Sequence, residues 1–160
     1  MSALPIDPAT PVRKSRFLQP GQLVVSTEPM QVTTILGSCV AVCLWDSKRR
    51  IGGMNHFMLP MHSGSSVSSP RFGNVAMAAL VDSLRAAGGR LPFMQARVFG
   101  GSCMFEQLQS ATHLGQKNVD LALDFLRRNH IDVIQLETGG KRGRKLIYQT
   151  DEGSACLISI

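Results

Sequence analysis

The sequence predicts one mixed α/β (α+β) domain, and three observations carry that expectation. Short stretches rich in β-branched and aromatic residues, separated by turn residues, run through the chain from Leu23 onward. Two longer stretches place apolar residues at i, i+3, i+4 and i+7, the spacing of a helix with one buried face. Clustered strands with two amphipathic helices to cover their faces make a layered domain with a shared core. At 160 residues the chain is long enough to bury that core unaided.

Residues 1–20 read as a flexible arm, because Pro5, Pro8, Pro11 and Pro20 sit among small polar residues with no apolar period. The domain is expected over 21–160. Strand-like stretches follow at Leu23-Val24-Val25, Val32-Thr33-Thr34-Ile35, Val40 to Trp45 and Ile51 to Leu59, with Asp46 to Arg50 as a polar hairpin connection. Ser63-Gly64-Ser65-Ser66-Val67-Ser68-Ser69 suits either a substrate-covering loop or a plain surface linker. Met77, Leu80, Val81 and Leu84 predict a helix capped at Asn74 and stopped by Gly88-Gly89. After a strand at Ala96 to Phe99, Val119, Ala122, Leu123 and Leu126 predict a second helix. It ends near Arg127-Arg128, cations suited to a helix carboxyl end. Strands return at Ile131 to Leu136, Leu146 to Gln149 and Ala155 to Ile160. There is no internal repeat.

Composition narrows the function classes. The chain is 44% hydrophobic and 18% charged, an ordinary globular balance. No apolar run approaches the ~20 residues of a membrane span. The amino terminus lacks the basic and apolar regions of a secretory signal, so the expected compartment is the cytoplasm. Four scattered cysteines, Cys39, Cys43, Cys103 and Cys156, make neither a disulfide framework nor a zinc pattern. Neither metal nor cofactor is expected. The net charge of +6 favours acidic partners without selecting one. Only Lys141-Arg142-Gly143-Arg144-Lys145 is a dense basic run, and with one Trp and one Tyr in the chain it reads as a solvated loop or strand edge. Gly100-Gly101 and Gly139-Gly140-Lys141 lack the Gly-x-x-x-x-Gly-Lys-Ser/Thr form of a phosphate loop.

The chemistry that remains is that of a thiol and an imidazole. Cys39 and His56 both lie in small-residue frames, Leu36-Gly37-Ser38-Cys39 and Gly52-Gly53-Met54-Asn55-His56. A histidine within reach can take the thiol proton, return it to a leaving group and then activate water. A third polar group usually fixes the imidazole, and the hydroxyl of Thr33 or Thr34 is placed to do so. Successive N–H groups at Gly37-Ser38-Cys39 offer an oxyanion hole. The plainer reading makes His56 a hydrogen-bonded core residue, and Cys43, Cys103 and Cys156 small buried hydrophobes.

Five sequence words extend the pair. They are Leu36-Gly37-Ser38-Cys39-Val40-Ala41-Val42-Cys43-Leu44-Trp45-Asp46, Gly52-Gly53-Met54-Asn55-His56-Phe57-Met58-Leu59-Pro60, Arg71-Phe72-Gly73-Asn74-Val75-Ala76-Met77, Ala96-Arg97-Val98-Phe99-Gly100-Gly101 and Gly139-Gly140-Lys141-Arg142-Gly143-Arg144-Lys145. In this order they resemble the chemoreceptor glutamine deamidases, the CheD family, over about Leu23 to Ile160. The resemblance implies a three-layer α-β-β-α sandwich and deamidation of glutamine side chains on the cytoplasmic region of chemoreceptors. It also implies hydrolysis of glutamyl methyl esters there and, in some bacteria, a CheC-like phosphatase as partner. Carried over, the nucleophile falls on Cys39, the general base on His56, and the threonine six positions before the nucleophile on Thr33. Phe72-Gly73-Asn74 stands where Tyr-Gly-Asp is common, and Leu114-Gly115-Gln116-Lys117-Asn118 replaces a usual Ile-Gly-x-Arg-Asn. Neither touches the pair. The competing expectations are a partner-binding regulator of a CheC-like phosphatase, and a binder of nucleic acid or acidic surfaces through Lys141 to Lys145.

Overall fold

The computed structural model describes residues 12–61, 69–103 and 113–160. Two strand-rich sheets are stacked, and each has both parallel and antiparallel neighbours. The first contains β1 (Lys14–Phe17), β3 (Met30–Leu36), β8 (Arg144–Gln149) and β9 (Ser154–Ser159), in that order. The second runs β2 (Leu23–Ser26), β5 (Ile51–Asn55), β4 (Val40–Asp46), β6 (Met94–Gly100) and β7 (Asp132–Thr138). In each sheet a single parallel pair, β1 with β3 or β6 with β7, sits at one edge. Helices α1 (Gly73–Ala86) and α2 (Leu114–Arg128) complete the domain. No helix among the described residues is long and apolar enough to cross a membrane.

β4 explains the layering. Its residues are nearly all buried because both of its faces are covered. Val40, Val42 and Leu44 meet Met77, Leu80, Leu84, Ala122 and Leu126 of the helices. Ala41 and Cys43 on the other face join Met54 and Phe99 against Val32, Leu36, Leu146 and Tyr148 of the first sheet. A strand with two apolar faces is the mark of a central position. Tyr148 also crosses the gap, its hydroxyl donating to the Leu44 carbonyl at 3.3 Å.

The α+β class and the mixed sheets agree with the expectation. Among the described residues both helices lie on one face of the second sheet, with the first sheet on its other face. They pack together there because each has a single apolar stripe, and those stripes share the β4 cluster. The other face of the first sheet carries Phe17, Ile35 and Ile158 at 45–50% exposure.

The arm expected at residues 1–20 needs correction. β1 pairs with β3 over Lys14 to Phe17, and Leu18 is fully buried. Arg13 reaches across the fold to Asp151, with Nε 3.0 Å and Nη2 3.1 Å from its two carboxylate oxygens. Prolines at 11 and 20 bracket this strand rather than interrupt it, so local composition missed it. Residues 1–11 and the serine-rich segment 62–68 lie outside the described residues. α1 starts at Gly73 with Phe72 as its cap residue, two residues before the expected cap Asn74. α2 starts five residues before Val119, with the His113 ring accepting from the Gln116 N–H at 3.1 Å.

Candidate active site

Three segments meet at one end of the space between the sheets. β3 brings Thr34, the turn after β3 brings Cys39, and the continuation of β5 brings His56. Val40 and Phe57 exchange both backbone hydrogen bonds, at 3.1 and 3.0 Å. Extending the β4–β5 register through that pair sets His56 opposite Ala41 and diagonal to Cys39 on the same face. Diagonal side chains on neighbouring strands are within mutual reach. On its other side His56 is fixed by the neighbouring segment: its N–H donates to the Gln22 carbonyl and its carbonyl accepts from Gly21.

The imidazole is 1% exposed and its protonation follows from its partners. Nδ1 lies 2.7 Å from the Thr34 hydroxyl, which lies 2.8 Å from the Leu18 carbonyl. A carbonyl only accepts, so the one hydroxyl proton goes to Leu18 and the oxygen accepts from Nδ1–H. This assigns the neutral tautomer with a bare Nε2. That nitrogen is buried and has no partner among the described residues. Burial pushes His56 down to about 4. Burial also raises the Cys39 thiol, opposed by its own backbone N–H against the sulfur. The resting pair is therefore a neutral thiol and a neutral base.

The threonine that touches His56 is Thr34, not the expected Thr33. β3 alternates, with Val32, Thr34 and Leu36 facing the intersheet core and Thr33 facing away. That alternation was readable in the sequence. What local spacing does not show is Leu18, which follows β1 and whose carbonyl accepts from the hydroxyl, a contact that only tertiary pairing creates.

The Gly37-Ser38-Cys39 turn is held by all three of its carbonyls. The Gly37 oxygen accepts from Ser102 N–H and the Cys39 oxygen from Gly101 N–H, both at 2.9 Å, while Asn118 Nδ2 takes the Ser38 oxygen at 3.0 Å. Gly100 and Gly101 have φ of +107° and +67°, a left-handed path that favours glycine. A Cβ on Gly100 would collide with the Cys39 carbonyl. The glycine pair thus packs closely against the Gly37-Ser38-Cys39 turn. In the basic run, Arg144 is consumed structurally, donating to the carbonyls of Gly100 at 3.3 Å and Gly139 at 2.8 Å and to the Ser102 hydroxyl at 3.0 Å.

The other cysteines divide. Cys43 is sealed in the core as expected, but Cys103 is half-buried and Cys156 exposed. On β9 the inward positions belong to Ala155 and Leu157, which turns Cys156 to solvent.

A family model described as CheD chemotactic sensory transduction matches residues 58–158. The chain belongs to the CheD family. That match begins just beyond His56, whereas alignments with curated CheD relatives cover more of the chain. The chain is 46% identical over 143 residues to "Probable chemoreceptor glutamine deamidase CheD 1" of Anaeromyxobacter dehalogenans, covering 89% of this chain and 83% of that one. It is 42% identical over 148 residues to "Probable chemoreceptor glutamine deamidase CheD" of Trichlorobacter lovleyi, covering 92% and 91%. A third such CheD, from Sulfurimonas denitrificans, is 36% identical over 145 residues, covering 90% and 93%.

Proposed function

We propose that this CheD-family chain is an amide hydrolase that converts glutamine side chains of chemoreceptors to glutamate, with Cys39 as nucleophile, His56 as acid–base and Thr34 as the group that orients His56. The observation that carries this reading is the bare, buried Nε2 of His56, held in that tautomer by Thr34 and diagonal to Cys39. A base with no other partner is poised to receive a thiol proton.

The reaction follows from the resting charges. As the substrate carbonyl arrives, Sγ of Cys39 attacks the amide carbon and its proton passes to Nε2. The imidazolium that forms is supported through Nδ1–H by the Thr34 hydroxyl. The oxyanion faces the N–H groups of the Ser38-Cys39 turn. His56 then protonates the departing nitrogen, which leaves as ammonia with a thioester behind. Water, deprotonated by His56, attacks the thioester and releases glutamate and the thiol. Glutamine and water become glutamate and ammonia, with no cofactor in the balance. A glutamyl methyl ester gives the same thioester on loss of methanol, so it is proposed as a second substrate. The proposed partners are the cytoplasmic regions of chemoreceptors. A CheC-like phosphatase is a proposed partner on family resemblance alone, and the proposed compartment is the cytoplasm.

The deciding experiment is mass spectrometry of a chemoreceptor cytoplasmic fragment incubated with wild-type protein and with Cys39→Ala. Conversion of glutamine to glutamate by the wild type alone is expected. Equal conversion by Cys39→Ala would sink the mechanism. No conversion by folded, reduced wild type would favour the partner-binding reading.

A further inference from the structure

Asn118 lies on α2, a helix that supplies none of the three reacting or orienting side chains. It is nevertheless fully buried, and its one amide nitrogen reaches two carbonyls, those of Ser38 and Met58, each at 3.0 Å. Ser38 immediately precedes the nucleophile, and Met58 follows His56 by two residues. Two carbonyl acceptors require the NH2 end of the amide, which fixes the side chain's orientation and leaves Oδ1 buried without a partner among the described residues. An unpartnered buried acceptor is costly, so the amide's placement is dictated by the bracket it makes. α2 can come this close because Gly115, one turn earlier on the same face, packs directly on the Gly101 backbone; a Cβ there would collide with the Gly101 carbonyl.

The bracket has a consequence for the oxyanion. In a planar trans peptide the C=O of one residue and the N–H of the next point in opposite directions. Holding the Ser38 carbonyl toward α2 therefore aims the Cys39 N–H away from α2. With the Gly37 carbonyl held by Ser102, the Ser38 N–H is oriented by the same logic.

We propose that Asn118 is a positioning residue of the deamidation site, which sets the direction of the Cys39 N–H as an oxyanion donor and ties the nucleophile turn to the strand carrying His56. This inference rests on the function proposed above. It makes kcat, rather than substrate binding, the sensitive quantity, because an oxyanion donor acts in the transition state.

The test compares Asn118→Ala with Leu126→Ala, a cavity variant on the same helix whose side chain faces the dry core. The melting temperature of each variant is measured, and below both of them kcat and KM on the receptor fragment and the rate of Cys39 alkylation by iodoacetamide against pH. Asn118→Ala should lower kcat by about tenfold or more, with KM changed less than about threefold. Its alkylation profile should move to higher pH as the N–H leaves the sulfur. Leu126→Ala should lose stability yet keep kcat and the profile. If Asn118→Ala does not fold, Asn118→Ser, with a donor too short to span both carbonyls, is expected to show the same kcat loss. A kcat and alkylation profile equal to wild type, or losses matched by Leu126→Ala, would overturn the inference. Should the wild type convert no glutamine, the proposed function fails, and the alkylation profile still decides whether Asn118 positions Cys39.

Discussion

Cys39, in the turn that leads into β4, and Cys43, within β4, stand four residues apart on one face, yet their surroundings give them opposite chemistry. Cys43 is in the sealed middle of the intersheet space, packed with Met54, Phe99, Leu146 and Tyr148. Burial raises its thiol far above the ordinary range, opposed by the Arg97 charge. Cys39 sits at one end of that space, half-exposed, with its own N–H at the sulfur and His56 as its diagonal neighbour across the register. A thiol becomes a nucleophile through access and a proton acceptor, and one turn of register along the same sheet separates a site from a core.

The sharpest way to break this comparison is to remove each sulfur in turn. Cys39→Ala should abolish glutamine conversion, while Cys43→Ala should keep kcat within a few-fold and lose about 1–2 kcal/mol of stability from its cavity, read by urea unfolding. Next in size is the base. His56→Ala should lower kcat/KM at least several hundred-fold, within the ~10²–10⁴ range of a general acid–base, in a steady-state ammonia-release assay. Wild-type activity in that variant would make His56 a core residue.

The two threonines sharpen the contrast between facing the site and facing away. Thr34→Val keeps the shape but strands the Leu18 carbonyl and Nδ1–H, and kcat should fall by about tenfold or more. Thr33→Val should leave kcat unchanged within about twofold, since β3 turns that side chain from His56. Equal losses from the two would contradict the register.

The smallest effect concerns pH. His56 titrates at about 4 in the fold against 6.5 for its ordinary value, so the unfolded chain binds the extra proton between those pH values. This group's contribution is favourable above pH 6.5 and is lost as pH falls toward 4, by about 3 kcal/mol in total. Urea unfolding at pH 7 and pH 4.5 should show that loss in the wild type and less of it in His56→Gln. The same shift predicts activity persisting at pH 5–6, where a free imidazole is largely protonated, in a kcat/KM profile.

By itself the sequence determined the elements and singled out Cys39 and His56 as the candidate pair. β-branched runs and two apolar stripes are local patterns, so β4, β6, α1 and α2 were visible without partners. Cys39 and His56 were visible because their glycine-rich frames are contiguous words. It also held the alternation Val32, Thr34, Leu36 that selects Thr34, a signal that counting positions back from the nucleophile passes over. The tertiary structure alone decided what lies across gaps in the chain: Leu18 behind Thr34, Asn118 behind Ser38 and Met58, and β1 in place of an arm. The side-chain contacts span 16, 80 and 60 residues and β1 pairs with β3 across 16, where no local spacing can record them. A buried hydrogen bond depends on where two distant segments are brought to rest, and that is a property of the packed sheets rather than of either segment.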